Sequence, residues 1–202
     1  MEKPIFPTIK APSSRHEMSR RLYVVRHASP TIDEEKPPRA WQLSEQGRRE
    51  AYELGHRVGL GPVRIWTSDE PKAVETASIM ASLSGGPTAV HAGLREVSFA
   101  ARILPQAEFR ERVGAYLDGT ADPAFEPYDE ARHRVTRCLE EIMDVEEGDI
   151  ALVSHGRIIT VLLGAILDRR LGSRLWARIG MPDFTVLDLE RRVALGGFAQ
   201  GL

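Results

Sequence analysis

The 202-residue chain predicts an α/β fold, a three-layer α/β/α sandwich around a mostly parallel sheet with an antiparallel edge strand. Three observations carry that expectation. Short apolar runs alternate with stretches of helical periodicity, the rhythm of βαβ units. Two of the runs, 22–25 and 150–153, are apolar at every position, as strands covered on both faces are. Near the end, residues 183–197 hold two more runs around Glu190-Arg191-Arg192, a turn that can return the chain as an antiparallel edge hairpin.

Residues 1–20 carry prolines, serines and mixed charge without the apolar core of a signal peptide. They read as a flexible leader ahead of one domain at 21–202. The first strand covers 21–26. A helix follows, with Ser44 as its N-cap and Ala51, Leu54 and Val58 on its apolar side, running toward Gly59 and Gly61. After a strand at 63–67, the second helix begins past Thr67-Ser68, with Pro71 tolerated in its first turn. It continues through Val74, Ile79, Met80 and Leu83 to Ser84-Gly85-Gly86-Pro87, and a strand at 88–91 comes next. The region from about 105 to 147 is richer in helix and loop. Phe109, Val113, Tyr116 and Leu117 mark one apolar face, and Val135, Cys138, Leu139, Ile142 and Met143 another. Strand 150–154, a helix from Arg157 to about Leu167, and strands at 184–190 and 192–197 complete the chain.

Composition narrows the function. A hydrophobic share of 42%, a charged share of 28% and a net charge of −2 are those of an ordinary globular protein. The arginines are scattered, so the basic field that nucleic acid needs is missing, and no nucleic-acid partner is expected. No apolar run approaches the roughly 18 residues that span a bilayer, so no membrane partner is expected either. The single cysteine, Cys138, can form neither an internal disulfide nor a cysteine-based zinc site, and a reducing cytoplasm is the simplest setting.

Two histidines stand out because each follows a buried-strand run and opens a short polar loop: Arg26-His27-Ala28-Ser29 and Ser154-His155-Gly156-Arg157. Ligands of parallel sheets gather at the carboxyl ends of strands, so both imidazoles can face one crevice. A neutral imidazole is a competent nucleophile toward phosphorus if a neighbour offsets the phosphoryl charge, and Arg26 carries a fork suited to phosphate oxygens. His155 precedes a helix, whose N-terminus offers free N–H groups to an anion. Lys72 lies in the first turn of the second helix, from which it can aim into the same crevice. Glu96, at the rim, can protonate a leaving oxygen and then activate water if partial burial raises its pKa.

These segments, in this order, resemble the histidine phosphatase (phosphoglycerate mutase-like) superfamily. Leu22 to Ser29 is similar to its strand ending in Arg-His-Gly, and Leu43-Ser44-Glu45-Gln46-Gly47 to its Leu-Thr-x-x-Gly helix start. Thr67 to Ala77 is similar to its Ser-x-x-x-x-Arg-Ala-x-x-Thr-Ala segment, Leu94-Arg95-Glu96 to the stretch bearing its acid, and Leu152 to Gly156 to its Val-Ser-His-Gly strand end. The resemblance implies hydrolysis of a phosphomonoester through a phosphohistidine on His27. Arg26, His155 and Lys72 would hold the phosphate oxygens, and Glu96 would serve as acid and then base. It implies a phosphorylated small-molecule substrate, no cofactor and no metal; Arg26 and Lys72 would also repel a divalent cation.

Three positions depart from the family pattern: Ala28 for glycine, Lys72 for arginine and Asp33 for asparagine. Lysine keeps the charge but loses the bidentate fork. Residues 97–130 lack the lysine-arginine cluster with which the family's mutases grip a carboxylate, which favours a phosphatase over a mutase. A catalytically weak member that binds a phosphorylated ligand or protein is the alternative, and Lys72 is its support. Arg102 reads as a surface arginine with a substrate contact as the alternative. Trp41 and Trp66 are candidates to line the entrance, though core packing accounts for Trp66, while His56, His91 and His133 read as structural or solvated.

Overall fold

The computed structural model describes residues 19–100 and 104–202. The leader expected over 1–20 therefore falls, apart from Ser19 and Arg20, outside the described residues, as does Arg102. The elements run β1 (Arg21–Arg26), α1 (Glu45–Val58), β2 (Ile65–Thr67), α2 (Pro71–Ser84), β3 (Thr88–Val90), α3 (Gln106–Asp118), α4 (Tyr128–Val145), β4 (Ile150–Ser154), α5 (Gly156–Ile166), α6 (Ser173–Arg178), β5 (Asp183–Asp188) and β6 (Val193–Gly197).

The strands form one sheet in the order β3-β2-β4-β1-β5-β6. The first four are parallel, whereas β5 is antiparallel to β1 and β6 to β5, so the edge is a hairpin. Alternation along the strands separates two apolar layers. Leu22, Val24, Ile150 and Leu152 join the core built with α3, α4 and α5. Val25, Ile65, Ala151 and Val153 join the core built with residues of α1 and α2. All five residues of β4 are buried, which explains its unbroken apolar run.

Several bounds differ from expectation, β2 beginning at Ile65 rather than 63 and β5 ending at Asp188 rather than 190. Helix α2 starts at Pro71, not directly after Ser68, because the residue before a proline is pushed out of the helical region. Glu70 sits there in an extended conformation (φ −74°, ψ 130°) as the N-cap. The α6 helix of six residues is too short to leave a readable period and was not expected.

The topology places the site. Arg26 of β1 pairs in register with Ser154 of β4, and Thr67 of β2 with Val153. His27, His155 and Ser68, each one residue beyond its strand, therefore leave the sheet side by side. Backbone bonds fix them there: His27 N–H donates to the Ser154 carbonyl at 3.0 Å and Ser68 N–H to the Val153 carbonyl at 3.1 Å.

Candidate active site

His27 is buried, and its ring lies edge-on to that of His155 with centroids 4.9 Å apart. Its Nδ1 is 2.8 Å from the Ala28 carbonyl oxygen. A carbonyl only accepts, so Nδ1 carries the proton and Nε2 is left with a lone pair. Burial, and then the neighbouring His155, hold the imidazole's proton affinity well below its usual range; Lys72 and Arg26 add to the shift. A neutral ring with its Nε2 unprotonated is what nucleophilic attack on phosphorus requires. The loop holding it is pinned, since Ala28 N–H donates to Thr76 Oγ1 at 3.1 Å and that hydroxyl donates to the Lys72 carbonyl at 2.7 Å.

His155 is also buried and likewise kept neutral, by burial first and by the charges of Lys72, Arg157 and Arg26 next. Its Nε2 lies 2.9 Å from Ser68 Oγ, while its buried Nδ1 meets no hydrogen-bond partner. Ser68 Oγ accepts from Glu70 N–H at 3.2 Å, leaving the hydroxyl proton free for His155 Nε2. That arrangement lets the ring carry its own proton on Nδ1, as a donor for an anion.

The charge of Lys72 acts on both histidines, but Lys72 does not stand alone. Its side chain is buried, and Nζ donates to Glu70 Oε2 at 2.5 Å and to the Pro38 carbonyl at 2.8 Å. Glu70 Oε1 accepts from Glu96 N–H at 3.0 Å and lies 3.5 Å from His155 Nε2.

Glu96 differs from expectation in two linked ways. Its Oε1 accepts from Val97 N–H at 2.9 Å and Ile158 N–H at 2.9 Å, and its Oε2 from Arg157 N–H at 3.2 Å. The anion at the start of α5 is thus Glu96 itself, and these helix N–H groups are not free for phosphate. Burial pushes its carboxyl up, but the Arg157 guanidinium, 3.4 Å away, and the three N–H groups outweigh it. The net shift is downward from the ordinary carboxylate value, so the raised pKa expected of a resting acid is not found.

Arg26 lies across the start of α5. Its Nη1 donates to the Ile179 carbonyl at 2.9 Å, and its buried Nε has no hydrogen-bond partner. A Cβ on Gly156 would come within 3.3 Å of Arg26 Cζ and 3.1 Å of Trp176 Nε1, so a side chain here would push on the guanidinium and the indole. Lys72 is matched by Glu70 and Arg157 by Glu96, whereas Arg26 has no carboxylate at ion-pair distance among the described residues. Arg26 is the cation most available to an anion.

The remaining candidates sort by their partners. Trp41 Nε1 donates to the Asp33 carbonyl at 2.9 Å, and the Trp41 carbonyl accepts from Lys72 N–H at 3.1 Å, so this indole frames the loop beside Lys72. With Thr31, Asp33 and Lys36 it lines a cavity of about 420 Å³. The Asp33 carboxylate is engaged by Lys36 at 2.8 Å. Trp66 is not at the site; its Nε1 donates to Glu146 at 2.9 Å on the α4 side. His91 is held by Glu141 at 3.0 Å, and burial pushes the Cys138 thiol up to about 12, leaving it unreactive. Among the described residues, no group of three or more His, Cys, Asp or Glu is placed to hold a metal, and no helix is long and apolar enough to cross a membrane.

His27, His155, Arg26, Lys72 and Glu96 come together; sequence reasoning missed Ser68, Glu70 and Arg157. The signal for Glu70 was present, since a residue fixed before Pro71 and two before Lys72 can turn back onto that lysine.

Known proteins match the chain over most of its length. The model of the histidine phosphatase superfamily (branch 1) matches residues 22–194. Among solved structures, a mycobacterial glucosyl-3-phosphoglycerate phosphatase in complex with inorganic phosphate is 26% identical, with a TM-score of 0.66 over 84% of this chain and 89% of its own. Mycobacterial hydrolase 1 is 25% identical, with a TM-score of 0.71 over 84% and 92% of the two chains. A phosphoserine phosphatase from Entamoeba histolytica, in complex with 3-phosphoglyceric acid, shares the fold at 17% identity, with a TM-score of 0.70 over 88% and 96%. A search of curated proteins found no match.

Proposed function

Because the chain belongs to the histidine phosphatase superfamily, branch 1, we propose that it is a metal-independent phosphatase acting on a small phosphomonoester through a phosphohistidine. The observation that carries this reading is the His27 tautomer. Its Nδ1 is spent on the Ala28 carbonyl at 2.8 Å, leaving Nε2 as a buried, neutral nucleophile.

In this reading Arg26 Nε, His155 Nδ1 and Lys72 Nζ take the phosphoryl oxygens, and His27 Nε2 attacks phosphorus in line with the ester oxygen. The P–N bond forms as the P–O bond breaks, and the leaving oxygen takes a proton from Glu96. Glu96 rests as a carboxylate, so that proton arrives with the substrate, either carried by a monoanionic ester or drawn onto Glu96 by the added negative charge. Glu96, again a carboxylate, then accepts a proton from water as the water oxygen attacks phosphorus. The P–N bond breaks, and His27 is regenerated with inorganic phosphate.

One observation favours a second reading, a protein that binds phosphorylated ligands without turnover: Lys72 is already engaged by Glu70 at 2.5 Å. Hydrolysis of p-nitrophenyl phosphate by the purified protein, abolished in His27→Ala, supports the phosphatase. Saturable binding of a phosphorylated ligand by wild type with no hydrolysis supports the second reading.

A further inference from the structure

Glu70 has no task in the chemistry just described, yet it sits at its centre. It is 7% exposed, held in place by the Pro71 that follows it, by Ser68 Oγ at its N–H and by Glu96 N–H at its Oε1. Its other oxygen is 2.5 Å from Lys72 Nζ. A phosphate that reaches Lys72 meets a carboxylate already there, inside a pocket where charges are poorly screened. Lys72 keeps its pocket-side position through the Pro38 carbonyl as well, at 2.8 Å, so it does not depend on Glu70 alone for its placement.

We propose that Glu70 is a positioning residue that acts as a built-in anion, competing with phosphate for Lys72 and so weakening the hold on the inorganic phosphate product. The proposal rests on the phosphatase reading of the same site. A clamp of Arg26, Lys72 and His155 with no internal anion would bind product more tightly and release it more slowly. With Glu70 in place, Lys72 returns to its carboxylate as phosphate leaves. Glu70 also faces His155 Nε2 at 3.5 Å, so its charge acts on two of the three phosphate contacts.

The test measures inorganic phosphate binding by calorimetry and product inhibition of p-nitrophenyl phosphate hydrolysis, in wild type and in Glu70→Gln. The amide keeps the shape and an acceptor for Lys72 but removes the charge. The expected result is phosphate binding tighter by roughly tenfold, the size of one close charge interaction, together with a lower melting temperature. A purely structural role would lower the melting temperature and leave phosphate binding equal or weaker, and that result overturns the proposal. Should Glu70→Gln fail to fold, Glu70→Asp decides: its carboxylate is withdrawn by one methylene, so tighter phosphate binding supports the competition and equal or weaker binding overturns it. Wild type that neither binds phosphate nor hydrolyses the ester would remove the phosphatase reading and this proposal together. Wild type that does both, with no tightening in the variant, removes this proposal alone.

Discussion

At the residue scale, the chemistry depends on which protons are absent. His27 titrates well below the usual imidazole range because it is buried beside His155, Lys72 and Arg26. The acidic limb of kcat/KM should therefore lie well below pH 6.5, and a pH–rate profile whose acid limb is centred at 6.5 or above would contradict the neutral-nucleophile assignment. Glu96 carries the opposite problem, a carboxylate held ionised by Arg157 and backbone N–H groups. Removing that guanidinium makes the charged form less favourable, so Arg157→Gln should raise the Glu96 carboxyl pKa by about a unit, read by NMR titration of that carboxyl; an unmoved or lowered pKa would contradict the pairing. The histidines, Arg26 and Glu96 were legible because each type suits phosphate chemistry and each lies at a strand end or just beyond. Lys72 was legible as a cation but not as a paired one. Glu70 carried a local signal in its place before Pro71 and two before Lys72, but its bond to Glu96 N–H, 26 residues on, is visible only in the fold. The absent resting acid was illegible for the same reason, since hydrogen bonds from α5 to Glu96 cross 61 and 62 residues of chain.

At the element scale, α1 anchors the loop that carries the nucleophile. Ser44 caps the helix by accepting from Gly47 N–H at 2.9 Å, and its own N–H and hydroxyl both donate to the Ser29 carbonyl at 3.0 Å. A Cβ on Gly47 would collide with that same carbonyl oxygen. Gly47→Ala should therefore destabilise the protein by about 1–3 kcal/mol, as overpacking does, and should raise KM by displacing Ser29 and, with it, His27. Thermal unfolding together with steady-state kinetics checks both; an unchanged melting temperature and KM would show that the contact yields without consequence. The α1 cap and the Gly59 stop were readable from residue type. The start of α2 was not, because it is set by Pro71 through the backbone it forbids to its predecessor, Glu70.

At the scale of the whole molecule, alternation and the two apolar runs give the layered sheet, while strand order is a matter of long-range pairing that no local pattern encodes. That order, β2-β4-β1, is what joins three polar loops into one pocket. Burial of two neutral histidines also has a global cost. Unfolded, each binds a proton near pH 6.5; folded, each does so only well below that. The unfolded state therefore takes up more protons as pH falls through 6.5, and stability must fall with it. The melting temperature should drop between pH 7.5 and 5.5, less steeply in His27→Gln, and a flat profile would contradict neutral burial. The phosphohistidine is tested most directly by mixing the protein with a labelled phosphomonoester, quenching in alkali and locating the label by mass spectrometry. Acid-labile, alkali-stable phosphate on His27, absent from His27→Ala, is the expected result. Turnover with no phosphate on His27, or with label on another residue, would contradict it.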